Sequence, residues 1–141
     1  MTKIILISHG DLAKGMAQSA QMIIGKNANL SYYGFYPGQH PSEMINEIRN
    51  KAINNKEDNF IVAADIFGGS VFNTAMELLE LKNVKVLSGM NLSLIVDLLL
   101  STKISDKDLE EKVSKAKDDI KLFSNIETIK KYESENEFFE N

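Results

Sequence analysis

One regularity constrains this chain more than any other: short apolar runs rich in β-branched residues alternate with stretches whose apolar positions recur every three or four residues. Residues 3–8 (KIILIS) form the first run, and their length and composition predict a buried strand. Asp11 stands where a helix cap is needed, Leu12, Ala13, Met16, Ala17, Ala20, Ile23 and Ile24 share a helical face, and Gly25 stops it. Residues 30–36 (LSYYGFY) predict a second, less apolar strand, and residues 37–41 (PGQHP) a loop. Met44, Ile45, Ile48 and Ala52 mark a second amphipathic helix. Residues 60–64 (FIVAA) predict a third strand and residues 65–70 (DIFGGS) a glycine-bearing turn. Val71, Phe72, Ala75, Met76 and Leu79 follow as a third helix, with Ser70 as its expected N-cap. Residues 84–87 predict a fourth strand. Residues 92–100 predict a helix apolar nearly all round, of the kind that is buried or covered by another subunit. Ser105 and Asp108 form a capping-box start to a last helix reaching about residue 117. Ile120 and Leu122 fit a short edge strand or a continuation of that helix. From about residue 125 the chain is polar and charged, which predicts a mobile tail with Phe138 and Phe139 as its exceptions.

Strands alternating with helices predict an α/β fold: a single domain with a parallel sheet, helices on both faces and right-handed crossovers. The domain is expected over residues 1–124, followed by the charged segment 125–141. A net charge of −4 speaks against a nucleic-acid binder, which needs a basic face. With no cysteine, disulfides, thiolate zinc sites and cysteine nucleophiles are excluded. The first apolar run stops at Ser8 and His9, too short for a secretion signal, and no stretch is long enough to span a bilayer. The expected location is cytoplasmic.

Two strand ends carry unusual chemistry. The first ends in Ser8-His9-Gly10, and the third is followed by Asp65-Ile66-Phe67-Gly68-Gly69-Ser70. In open parallel sheets, ligands gather outside the carboxyl ends of the strands where the strand order reverses. If strands one and three are neighbours, about 4.8 Å apart, His9 and Asp65 fall within hydrogen-bonding reach. An Asp accepting from the imidazole Nδ1–H fixes the tautomer and turns the Nε2 lone pair outward as a nucleophile. Gly68, Gly69 and Ser70 open a helix, where close backbone approach and free N–H groups favour an anion. Together these residues suggest phosphoryl transfer through a phosphohistidine. Each has a plainer reading when taken alone: His9 as a structural residue, Asp65 as a turn residue, the Gly-Gly-Ser turn as an ordinary loop. Ser8 is placed to be a nucleophile but lacks the surrounding elbow pattern. His40 sits in the Pro-Gly loop as a helix-start or surface residue. Two histidines without cysteine argue against a zinc site.

At these residues the sequence resembles the EIIA component of the mannose/fructose/sorbose family of the phosphoenolpyruvate-dependent sugar phosphotransferase system. The marks are ISHG at 7–10, FYPG at 35–38, DIFGGS at 65–70 with Asn73 and Ala75, and GMNL at 89–92. The resemblance implies strand order 2-1-3-4, plus a short antiparallel fifth strand at the sheet edge that can be exchanged across a homodimer; residues 120–123 are the candidate for it. It also implies that His9 is phosphorylated, that Asp65 is the partner of its imidazole, and that Ser70 lines the phosphoryl site. The implied pathway runs from phospho-HPr to His9 and on to a histidine of an EIIB component on a separate chain, with the membrane components engaged indirectly. No cofactor, metal or nucleotide is implied at this step. Phe67 and Phe72 are candidates for an apolar docking rim, with core packing the commoner role for Phe72. The family often has proline where this chain has Val71 and Ser93. Two other functions fit the same residues: the phosphohistidine subunit of a dihydroxyacetone kinase, and a non-catalytic regulatory α/β module in which His9 and Asp65 make a structural hydrogen bond.

Overall fold

Strand β1 (Thr2–His9) is the centre of the molecule because it is apolar on both faces. Successive side chains of a strand point to opposite sides of the sheet. Ile5 and Ile7 therefore enter one core with Ile45, Ile48, Val62 and Val71. Ile4 and Leu6 enter the other, with Ala13, Ala17, Ala20, Ile61 and Ile95. In this computed structural model the described residues are 1–136; Phe138 and Phe139 lie outside them.

The elements follow the expected alternation: β1, α1 (Leu12–Ile24), β2 (Leu30–Phe35), α2 (Pro41–Asn54), β3 (Asn59–Ala64), α3 (Ser70–Ala75), β4 (Val84–Leu87), α4 (Leu92–Leu99), α5 (Asp106–Asp118) and α6 (Ile126–Asn136). All the strand pairings are parallel, and the sheet order is β2-β1-β3-β4. Helix α1 lays Ala13, Ala17 and Ala20 against the sheet, all fully buried. These small side chains let the helix backbone approach closely. Gly25 caps it, its N–H donating to the Gln21 carbonyl at 2.8 Å. Helix α4 buries Leu94, Ile95 and Leu98 while Leu100 beyond it stays exposed. Its N-cap is Asn91 of the GMNL turn, whose side chain accepts from the Leu94 N–H at 2.8 Å.

Several expectations need correction. Asp11 holds the N-cap position of α1 but makes no capping hydrogen bond. Ser8 does that work: its Oγ accepts from the Ala13 N–H at 2.7 Å and donates to the Gly10 carbonyl at 3.3 Å. Ser70 is the first residue of α3, not its cap; Gly69 holds the cap position. The third helix also tightens into a 3-10 turn at Met76–Glu80. Residues 120–123 form neither a strand nor a continuation of α5, and the sheet of this single chain has four strands among the described residues. An edge strand needs a neighbour to pair with, and this segment meets none among the described residues. The segment after Asn125 is helical as α6, with the Asn125 side chain accepting from the Thr128 N–H at 3.0 Å. The ring of Phe123 stands edge-on to Tyr132 at 5.7 Å. So few apolar residues lie in α6 that its composition mimics a tail.

Gly34, in the middle of the second apolar run, has a steric role. A Cβ there would lie 2.6 Å from the Gly10 carbonyl oxygen and 2.7 Å from the Tyr36 hydroxyl. Both are far inside van der Waals contact. Gly34→Ala is therefore expected to destabilise the fold by about 1–3 kcal/mol, the range for overpacking. Chemical denaturation checks this; an unchanged midpoint would show that the loop after β1 yields without cost.

Candidate functional site

The sheet order reverses between β1 and β3, and the two unusual strand ends meet at that point. His9 is the last residue of β1, and Asp65 follows the last residue of β3. Ile7 is in register with Ala64, which places Asp65 one step further along, beside the end of β1. The Asp65 Oδ2 accepts the His9 backbone N–H at 2.8 Å and lies 2.8 Å from the ring Nδ1. Its Oδ1 accepts the Ile66 N–H at 2.9 Å. Burial raises the Asp65 carboxyl. The hydrogen bonds from the His9 main chain and ring, the charge of that ring and the Ile66 N–H outweigh it, holding the group below its ordinary value of 3.8. A lowered carboxyl stabilises the fold above its ordinary value and loses that contribution only as pH falls through the lowered one. The pair is thus intact at neutral pH.

A carboxylate has no proton to give, so the ring proton sits on Nδ1 and the Nε2 lone pair faces outward. The His9 side chain is 47% exposed and that of Asp65 only 8%. The ring is reachable and its anchor is not. The Phe35 ring stands edge-on to the imidazole at 5.8 Å and braces it from the β2 side. Ser70 Oγ lies 3.5 Å from Nε2.

The turn after Asp65 is shaped by its glycines. Gly68 has φ +79°, in the left-handed region. A Cβ on Gly69 would sit 3.0 Å from Ile66 Cγ2 and 3.4 Å from His9 Cε1, pressing on the imidazole. Asn73 closes the turn from behind. Its backbone N–H donates to the Gly69 carbonyl at 2.9 Å and its Nδ2 to the Gly68 carbonyl at 3.1 Å. The N–H groups of the first turn of α3 have no carbonyl of a preceding turn to meet. From the turn after β4, the Met90 N–H donates to the Ala64 carbonyl at 3.1 Å. The GMNL turn thereby holds the backbone immediately before Asp65.

Sequence reasoning singled out His9, Asp65, Gly68, Gly69 and Ser70; the structure brings Asp65, Gly69 and Ser70 against the His9 ring, with Gly68 next to them in the turn. Sequence reasoning gave Asn73 and Phe35 no role, though both fell inside the quoted motifs. Ser8 is fully buried, with its hydroxyl committed to capping α1. It is not exposed for attack. His40 caps α2, with its Nδ1 accepting from the Ser42 N–H at 3.2 Å. Its free tautomer therefore carries the proton on Nε2, the reverse of His9. Phe67 is 76% exposed and Phe72 9%, their rings 5.3 Å apart, so Phe67 is on the rim and Phe72 is mostly core. Ile66, 57% exposed, joins Phe67 there. Val71 is wholly buried at the second position of α3, and Ser93 Oγ donates to Asp119 at 2.8 Å.

No helix among the described residues is long and apolar enough to cross a membrane. The chain matches the EIIA-man family, described as PTS system fructose IIA component, over residues 3–117. It is 24% identical over 115 residues to the PTS system mannose-specific EIIAB component of Escherichia coli (strain K12), covering 80% of this chain and 35% of that protein. The chain thus spans about a third of the length of that relative. It is 28% identical over 113 residues to the PTS system fructose-specific EIIA component of Bacillus subtilis (strain 168), covering 77% of each. The crystal structure of the PTS IIA protein associated with the fucose utilization operon from Streptococcus pneumoniae superposes with a TM-score of 0.74 at 31% identity, over 89% of this chain and 93% of that one. With its four parallel strands in the order 2-1-3-4 and a family match across most of its length, the chain belongs to the EIIA-man family of sugar phosphotransferase system components.

Proposed function

We propose that this chain is a phosphocarrier: His9 accepts a phosphoryl group from phospho-HPr and passes it to a histidine of an EIIB component, for coupled sugar uptake and phosphorylation. The observation that carries this reading is the 2.8 Å contact between a half-exposed imidazole and a buried carboxylate. Nε2 attacks phosphorus in line as the donor's N–P bond breaks, and the new bond forms at Nε2. The Nδ1 proton stays in place, so the phosphorylated ring is cationic, and the Asp65 carboxylate stabilises that charge. The Ser70 hydroxyl donates to a phosphoryl oxygen, and Gly68 and Gly69 let the main chain come close to the anion. Proton and charge bookkeeping closes without a metal or nucleotide. A carrier docks two partners in turn, so the apolar rim of Ile66 and Phe67 serves transient contact. Such a role places the chain in the cytoplasm.

A homodimer fits the same reading. Among the described residues, strand β4 pairs only with β3, leaving one edge open. Beside that edge runs a groove of about 570 Å³ that includes Phe67, Phe72, Met76, Val86 and Val113. Ile120 and Leu122 are 77% and 84% exposed at alternate positions, the spacing with which a strand presents one face.

Four outcomes test these statements. Incubation with phosphoenolpyruvate, enzyme I and HPr should add one acid-labile phosphoryl group by intact mass, absent in His9→Ala. Transfer onward only to the ADP-bearing subunit of a dihydroxyacetone kinase, and not to EIIB, would overturn the assignment of partners. Asp65→Ala should stay folded but transfer about 100-fold more slowly, the scale on which a positioned proton partner acts. Its ring 15N signals should shift from the Nδ1–H form of the wild type to a tautomer mixture, and a wild-type rate removes Asp65 from the mechanism. Sedimentation should give a dimer that Leu122→Glu weakens; a monomer at all concentrations rejects the exchanged edge.

A further inference from the structure

Asp11 is two residues beyond His9, at the cap position of α1, and yet Ser8 caps that helix. An Asp in that place ordinarily stabilises the helix start by accepting from its N–H groups. Here the Asp11 carboxylate turns instead to the loop after β2, where the Tyr36 hydroxyl donates a hydrogen bond to its Oδ1. Room for that hydroxyl exists because residue 34 is glycine, whose missing Cβ would lie 2.7 Å from it. The tyrosine is itself held. Its N–H donates to Gln39 Oε1 at 2.9 Å, and the Gly10 N–H donates to the Phe35 carbonyl at 2.8 Å. Two turns that flank the imidazole are thus joined through one carboxylate. Hydrogen bonding to that carboxylate, then burial and the charges of Asp11 and Tyr32, raise the Tyr36 phenol above its ordinary value. The phenol therefore remains a donor at neutral pH.

The placement poses an electrostatic problem. Phosphoryl transfer to Nε2 brings an anion to His9, and an exposed carboxylate two residues away repels it if free to swing. The anchor of the imidazole, Asp65, lies on the β3 side, with Ser70. We propose that the Tyr36–Asp11 hydrogen bond is a charge latch that positions the Asp11 carboxylate on the β2 side, leaving the Ser70 side free for the phosphoryl group. Tyr36 is then a positioning residue for the reaction at His9. This inference rests on the phosphocarrier reading for its meaning, but its test does not need the partner proteins.

The probe is potassium phosphoramidate, a small donor that requires no docking surface. The Nε2–P bond forms as the donor's P–N bond breaks and ammonia leaves. Labelling of the full chain is followed by intact mass at low and high salt. Tyr36→Phe is expected to label about 3- to 10-fold more slowly at low salt, the scale of a single charge moved near an exposed site. The gap should narrow at high salt, where the screening length falls to about 3 Å at 1 M. Replacing the freed charge as well, in Asp11→Asn/Tyr36→Phe, should return the rate to within about 2-fold of wild type, because the repulsion leaves with the charge. Tyr36→Phe labelling at the wild-type rate overturns the latch. So does a double variant as slow as Tyr36→Phe, which would make the hydrogen bond a structural tie only. A second measurement is independent of that variant's folding. The Tyr36 phenol, followed by 13Cζ shift, should titrate above an ordinary tyrosine and return toward it in Asp11→Asn; an unchanged titration overturns the pairing. Wild-type protein labelled by phosphoramidate but not by phospho-HPr would overturn the donor proposed above while leaving the latch comparison intact.

Discussion

The site depends on one carboxylate. Asp65 takes three N–H donors, two of them from His9: the main chain at the end of β1 and the ring itself. The main-chain bond fixes where the last residue of β1 stops relative to β3. The ring bond fixes the imidazole's orientation and its proton. Because both go to the same oxygen, strand register and ring tautomer are coupled. A slip of β1 against β3 would break both at once and leave a nearly buried carboxylate short of donors, which costs more than the hydrogen bonds themselves contribute. The apolar alternation of β1 and β3 defends that register, since a one-residue shift would exchange the two cores of the sheet.

Two histidines in this chain show how far hydrogen bonding, and not residue type, decides chemistry. His40 and His9 are both exposed. The Nδ1 of His40 accepts a main-chain N–H from the helix it caps, and that of His9 faces a carboxylate. The first arrangement occupies one lone pair and puts the proton on Nε2; the second leaves Nε2 open. Only His9 is thus set up as a nucleophile in its neutral form.

The parts of this arrangement that were legible in the sequence are those that follow from local pattern. The runs KIILIS and FIVAA could hardly be anything but buried strands, and Ser105 with Asp108 spelled out a capping box that the structure contains. His9 and Asp65 were legible because strand ends in a parallel sheet are special places. What escaped depends on distance in space. Asp11 sits where a cap belongs and Ser70 one position past it, and their side chains turn to Tyr36 and His9 across gaps that sequence spacing does not measure. Nothing in the run LSYYGFY marks Gly34 as required, and its need appears only once Gly10 and Tyr36 converge on it. Helix α6 was missed for a compositional reason, having one narrow apolar stripe and an Asn cap in an otherwise charged segment.

The exposure pattern around His9 suits the carrier role proposed above better than an enclosed site. An enzyme that shuts its site gains from excluding water, but a closed lid would bar the second of two macromolecular partners. The ring here stands half-exposed at the sheet end, so the rigidity that a lid would supply must come from below. It does: the carboxylate beneath is nearly buried, Asn73 ties the glycine turn from behind, and Phe35 braces the ring from the side. Each of these supports leaves the outward face of Nε2 clear. Precision on the inner side with openness on the outer side is the combination that a group passed between docking proteins requires. Ile66 and Phe67, the apolar rim of that reading, lie on the turn that Asn73 holds in place.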